Sequence, residues 1–176
     1  QAIYSLRETK RLLTVNVYGL GAMTHPGDLA LVLQKAVTET LRKHKIELAV
    51  PTDYENYIEQ IRQNPEIWNH LIDTHTALSS VVADSDQLAE SLKTGDLGIF
   101  HRVSDTLREA QLDIRLNNDN IKQWLCEVQD RLTELGTYNG LLIVWDEFTD
   151  VMTDAIGVPV LKQLQEVAQK FMNEDC

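Results

Sequence analysis

Cysteine, proline and glycine are all scarce in this sequence, with two, four and eight copies in 176 residues. That scarcity excludes a disulfide scaffold, a collagen-like repeat and a low-complexity linker. The two cysteines, Cys126 and Cys176, are far apart and form no Cys-x-x-Cys. Neither a disulfide framework nor a zinc site is therefore expected, and a reducing, cytoplasmic compartment is the default. Cations are in deficit, 16 Lys and Arg against 27 Asp and Glu, for a net charge of −11. That balance disfavours non-specific binding to nucleic-acid phosphate. No apolar run reaches the roughly 18 residues of a membrane span. There is no Gly-x-Ser-x-Gly, and neither cysteine has a histidine beside it in sequence, so nucleophilic catalysis has no local support.

What is present is the composition of an ordinary globular domain, 43% hydrophobic and 24% charged. The length suits one domain, or one domain with an insertion, burying on the order of two-thirds of its unfolded surface. Gln1 in first position, with no initiator Met or signal peptide, suggests a piece of something longer.

Leu12, Leu13, Val15, Val17 and Leu20, with Thr14 and Tyr18 between, make a β-rich run that ends at Gly19 and Gly21. His25-Pro26-Gly27-Asp28 supplies a turn and a helix N-cap, and apolar residues at helical spacing continue to about Lys45. Arg42, Lys43, His44 and Lys45 suit the negative end of that helix. Further helices are expected after Thr52 or Asp53, after Asn64-Pro65, after Asp84 or Ser85, after Asp96, and from Ile121 to Gly136. The helix begun at Pro65 draws its apolar side from Ile67 through Val82. A final helix is expected from about Val160.

The one strong second strand is Leu141-Leu142-Ile143-Val144-Trp145, opened by Gly140 and closed by Asp146-Glu147-Phe148-Thr149-Asp150. Its unbroken apolar character predicts a strand buried on both faces of a parallel sheet. Two adjacent carboxylates at its exit sit where open α/β sheets bind ligands. They are costly to bury, so a site is the natural place for them.

This run resembles the Walker B motif of P-loop NTPases, in the class that carries a catalytic Glu after the Asp. The Val-Trp-Asp-Glu-Phe wording is also similar to the ATPases of bacterial phage-defence, or bacteriophage-exclusion, systems. The resemblance implies that Asp146 binds Mg²⁺ through its water shell and that Glu147 polarises the water attacking ATP. It also implies that Leu12–Tyr18 lies beside the Walker B strand, with Asp28–Lys45 as the crossover helix of a parallel pair.

The fold expected is thus a helix-dominated α/β arrangement: a short parallel strand pair from a P-loop-type sheet, with a large all-helical insertion. Residues 1–50 would be the first strand and crossover helix, 51–136 the insertion, and 137–176 the Walker B-like strand and its following helix. One departure is decisive. No Gly-x-x-x-x-Gly-Lys-Ser/Thr occurs, and that loop supplies the amides, Lys and hydroxyl that hold phosphate and Mg²⁺. In the P-loop order it would precede Gln1. The chain alone is expected to bind no cofactor and to be inactive, with Mg²⁺ and ATP bound only in an intact parent.

Rival motifs are weaker. Gly19-Leu20-Gly21 lacks the third glycine and the prompt helix of a dinucleotide fingerprint. Glu66, His70 and Asp73 share a helical face, with His75 nearby, but the second helix of a helical metal site has no Glu-x-x-His to offer. Asp154-Ala-Ile-Gly157 is a GTPase word without its context. Trp68, Trp124 and Trp145 read as packing residues. Beside the ATPase-fragment reading stands a different class: a mostly helical protein-interaction module whose strands are scaffold. Its partner would dock on the helical stretch, with neither nucleic acid nor membrane expected as a direct partner.

Overall fold

The computed structural model describes residues 11–18, 23–25, 27–112, 121–146, 148 and 157–172. Among these, helix exceeds strand several-fold, and the strands form one two-stranded parallel sheet. The chain divides into two compact units. One comprises 1–50 with 118–176, and the other 51–117.

The first unit is the α/β one. Strand β1 (Leu12–Val17) pairs in parallel with β2 (Gly140–Trp145), with Leu13 opposite Leu141 and Val17 opposite Trp145. Alternation sorts β1 cleanly: Leu13, Val15 and Val17 are buried while Asn16 is exposed. Helix α1 (Asp28–Lys43) places Leu29, Leu33 and Val37 against that buried row. Two further helices join the same core: Ile121–Glu134 through Leu125, Val128 and Leu132, and Gly157–Met172 through Val160 and Val167. Each fully buried aliphatic side chain contributes roughly 1.5–3 kcal/mol over its exposed state.

Strand β2 is not buried on both faces. Leu141, Ile143 and Trp145 pack, partly buried, on the core, Leu142 is likewise half-buried, and Val144 is 39% exposed. An unbroken aliphatic run reports strand character without reporting which faces are covered. Here the helical core covers the row of Leu13, Val15 and Val17 with their partners across the ladder.

The second unit is all-helical. Helix α2 (Asp53–Gln63) opens with a capping box: Thr52 Oγ1 accepts from the Glu55 N–H, and Glu55 Oε2 from the Thr52 N–H. Helix α3 (Pro65–Thr74) starts on its proline and stops earlier than its apolar pattern predicts. Thr74 Oγ1 donates to His70 O at 2.7 Å, and His75 Nδ1 lies 3.1 Å from Leu71 O. Side chains at those carbonyls compete with continued helix, so a short α4 (Thr76–Ser79) follows as a separate turn. Asp84 caps α5 (Ser85–Lys93), and Asp96 caps α6 (Leu97–Glu109). Tyr57, Trp68 and Phe100 form the centre, with Tyr57–Phe100 and Tyr57–Trp68 edge to face at 5.3 and 6.5 Å.

The helix Ile121–Glu134, hereafter α7, belongs to the α/β unit and not with the helical stretch before it. The last helix, α8, begins at Gly157, three residues ahead of the expected start, because Pro159 is tolerated in a first turn. The wide cysteine spacing argued against a disulfide, yet Cys126, buried on α7, is disulfide-bonded. Separation along the chain does not bound separation in space.

Four helix ends turn through a left-handed residue: Gly95 (φ 66°), Gly136 (φ 67°), Lys45 (φ 58°) and Gln111 (φ 55°). Behind Lys45 and Gln111 the chain closes a hydrogen bond six residues round, Ile46 N–H to Leu41 O and Leu112 N–H to Leu107 O, both 2.9 Å. Glycine is the usual residue at such positions. No helix of the described residues is long and apolar enough to cross a membrane.

Candidate functional site

The carboxyl ends of the two strands are the place to build a site, because the chain leaves the sheet there at both strands. Val17 and Trp145 are the last ladder pair, and the Asp146 N–H donates to Val17 O at 3.0 Å. That bond fixes the Asp146 backbone one step beyond the ladder, and the residue is exposed. Trp145 turns the other way, its ring edge to face with Phe148 at 5.3 Å. The alternation expected of a strand exit is therefore realised for Asp146 against Trp145. Glu147 lies outside the described residues, as do Thr149 and Asp150.

On the β1 side, Tyr18 is 69% exposed immediately after the strand. The loop then returns to α1 through a clamp. Asp28 Oδ2 accepts from the backbone N–H groups of Thr24 and His25 at 2.8 and 2.9 Å. Asp28 is thus not the N-cap: Gly27 holds that position without a side-chain bond, and Asp28 is the first helical residue. Its carboxylate is buried and complements the positive end of α1. Sequence reading saw an Asp at a helix start but not the direction in which it bonds. Its spacing of three and four residues after His25 and Thr24 was the available signal.

Two buried polar atoms of the sheet, Thr14 Oγ1 and Trp145 Nε1, have no hydrogen-bond partner among the described residues. Leaving such a group unsatisfied costs about 1–3 kcal/mol.

The rival sites do not assemble. Glu66, His70 and Asp73 are exposed on α3, and no group of three His, Cys, Asp or Glu among the described residues could hold a metal. Gly19, Gly21 and Asp154 lie outside the described residues, and Gly157 is the first residue of α8. Trp68 and Trp124 are buried in the helical and α/β cores respectively.

Chemically, an exposed carboxylate at a parallel strand exit can reach a hydrated divalent cation, and a buried carboxylate can hold the neighbouring loop in shape. No protein-family model, curated protein or solved structure matches the chain.

Proposed function

We propose that this chain is the Walker B part of a P-loop ATPase core, with Asp146 on the Mg²⁺ side and Glu147 orienting the attacking water. One observation carries the reading. A parallel β-strand pair, separated in sequence by α1 and the helical unit, ends with Asp146 exposed at the carboxyl end. That is the placement the motif requires.

The residues fit the implied groups only in part. Asp146 suits one water-mediated contact to Mg²⁺, which favours oxygen ligands and keeps several waters. Nothing in the sequence supplies a phosphate cradle, since the Gly-x-x-x-x-Gly-Lys-Ser/Thr loop is missing. When bound, Mg²⁺ neutralises charge developing on the transferred phosphate. The chain's own share is narrower. Asp146 offers a carboxylate on a backbone tied to Val17, and the Asp28 carboxylate ties Thr24 and His25 to the start of α1.

Calorimetry of this chain with Mg-ATP should therefore show no tight binding, because isolated carboxylates repel a polyanion. In an intact parent carrying the P-loop, Glu147→Gln should keep nucleotide affinity while turnover falls about 10²–10⁴-fold. Asp146→Asn should weaken the Mg²⁺-dependent affinity along with hydrolysis. Wild-type turnover in both folded variants would defeat the proposal.

The second reading, a helical interaction module, is favoured by a specific feature: residues 51–117 close a core of their own. It predicts that both substitutions leave function untouched.

A further inference from the structure

The opposite end of the α/β unit carries an unmatched cluster of positive charge. Arg42 and Lys43 lie in the last turn of α1, and Lys45 follows one residue beyond its cap. His44 Nδ1 is 3.3 Å from Tyr138 Oη, the two rings edge to face at 6.1 Å. Next to Tyr138, the Asn139 N–H donates to Arg11 O at 3.0 Å. These contacts bring Arg11 and residues 42–45 to the amino ends of the strands.

All four cations are exposed, and none has an ion pair or side-chain hydrogen bond among the described residues. Elsewhere in the unit cations are matched: Lys122 pairs with Glu166 at 2.6 Å, Arg131 with Glu134 at 2.9 Å, and Lys162 adds to the field at Glu166. The negative end of α1 explains the preference for a cation or two in its last turn. It does not explain Arg11, which is not on the helix. Nor does it explain Lys45, which keeps a long side chain at φ 58° where glycine is favoured.

We propose that this end of the α/β unit binds the phosphate backbone of a nucleic-acid strand. Four exposed cations with the exposed His44 among them match a run of phosphates with a ring for an adjacent base. The net charge of −11 argues against such a partner only when averaged over the chain. At physiological ionic strength the Debye length is about 8 Å, so carboxylates farther away are largely screened. Glu39 and Glu47 are the flanking acids in sequence, both exposed and outnumbered by the cluster. The surface lies at the other end of the strands from Asp146 and does not depend on the nucleotide reading.

The test is fluorescence anisotropy of a labelled single-stranded 20-mer DNA with the full chain across a salt series. Neutralising four phosphates of a single strand gives a slope of log affinity against log salt of about −3, at about 0.7 per contact. Arg42→Gln/Lys43→Gln/Lys45→Gln should lower affinity by at least tenfold and cut the slope to about −1. Lys45→Gly separates binding from folding. It should melt no lower than wild type, because glycine suits that backbone, yet bind more weakly with a slope shallower by about 0.7. Arg108→Gln in the helical unit should change nothing. A labelled polyglutamate of equal charge is the competing probe. Polyglutamate binding tighter than DNA would overturn the proposal in favour of an acidic protein partner. No DNA binding at 50 mM salt, or a slope unchanged by the triple substitution, would overturn it outright.

Discussion

The helical unit and the α/β unit solve the same burial problem in different ways. In the helical unit each of α2, α5 and α6 begins on a side-chain cap, from Thr52, Asp84 and Asp96, and the core is closed by neighbouring helices. Every signal needed to start and stop those helices is local. In the α/β unit, α1 begins on Gly27 without a side-chain cap, and its core joins β1 to segments from the far end of the sequence. A two-stranded sheet is marginal without packed helices. Both units leave buried polar atoms without a partner among the described residues, Thr14 Oγ1 and Trp145 Nε1 in the sheet and Tyr57 Oη and Thr106 Oγ1 in the helical unit, and both expose apolar side chains such as Val144 and Ile67. The α/β unit depends on distant segments meeting, and its strand ends carry the candidate site.

The comparison is broken most directly at Trp68. It is 1% exposed at the centre of the helical core, so Trp68→Ala should cost about 3–5 kcal/mol in chemical denaturation. The counterpart Val144→Thr, on the half-open face of β2, should stay within about 0.5 kcal/mol. Equal losses would show that the sheet face is covered after all.

A pH experiment probes the same core. Burial raises the Tyr57 hydroxyl well above the ordinary tyrosine range, and Asp53 adds to the rise. Ser104 lowers it in part, its side chain facing the hydroxyl without closing a full hydrogen bond. A raised folded value means stability is fully present below the unfolded value of about 10 and is lost as pH climbs beyond it. Above about pH 10 the helical unit should lose ellipticity together with a rise in tyrosinate absorbance, and Tyr57→Phe should delay both. Unfolding in alkali at an unchanged pH in that variant would place the sensitivity elsewhere.

Two smaller effects sharpen the contrast in local signals. Thr52→Ala removes one arm of the capping box and should cost about 1 kcal/mol. Gln111→Gly relieves a left-handed side chain at the end of α6 and should be neutral to stabilising, by up to about 1 kcal/mol. A thermal melt that falls for Gln111→Gly would show that its side chain is held by a contact worth more than the backbone relief.

Much of this organisation was legible in the sequence, for identifiable reasons. The β-branched runs at Leu12–Val17 and Gly140–Trp145 marked the strands, and the need for a helical crossover between buried-type strands pointed to parallel pairing. Thr52, Asp84, Asp96, Gly95 and Gly136 punctuated the helices because capping is a local bond or a local dihedral. Other features were not legible. The break after Thr74 depends on where two side chains place their hydrogen bonds, which periodicity does not encode. The open face of β2 depends on which segments happen to cover it. Asp28 was visible as an acid at a helix start, but its bonds to Thr24 and His25 belong to the loop behind it. At the candidate site, Asp146 was placed by reading the strand exit. Its neighbour Glu147 lies outside the described residues.

The parallel pairing of β1 with β2 also dictates an order of events. Its partners come from near the two ends of the chain, so their meeting closes a long loop before any ladder bond rewards it. The helices of 51–117 contact neighbours close in sequence and can form without waiting. The strand end that carries Asp146 thus depends on a contact of high sequence separation, which carries a larger loop-closure cost than any contact within 51–117.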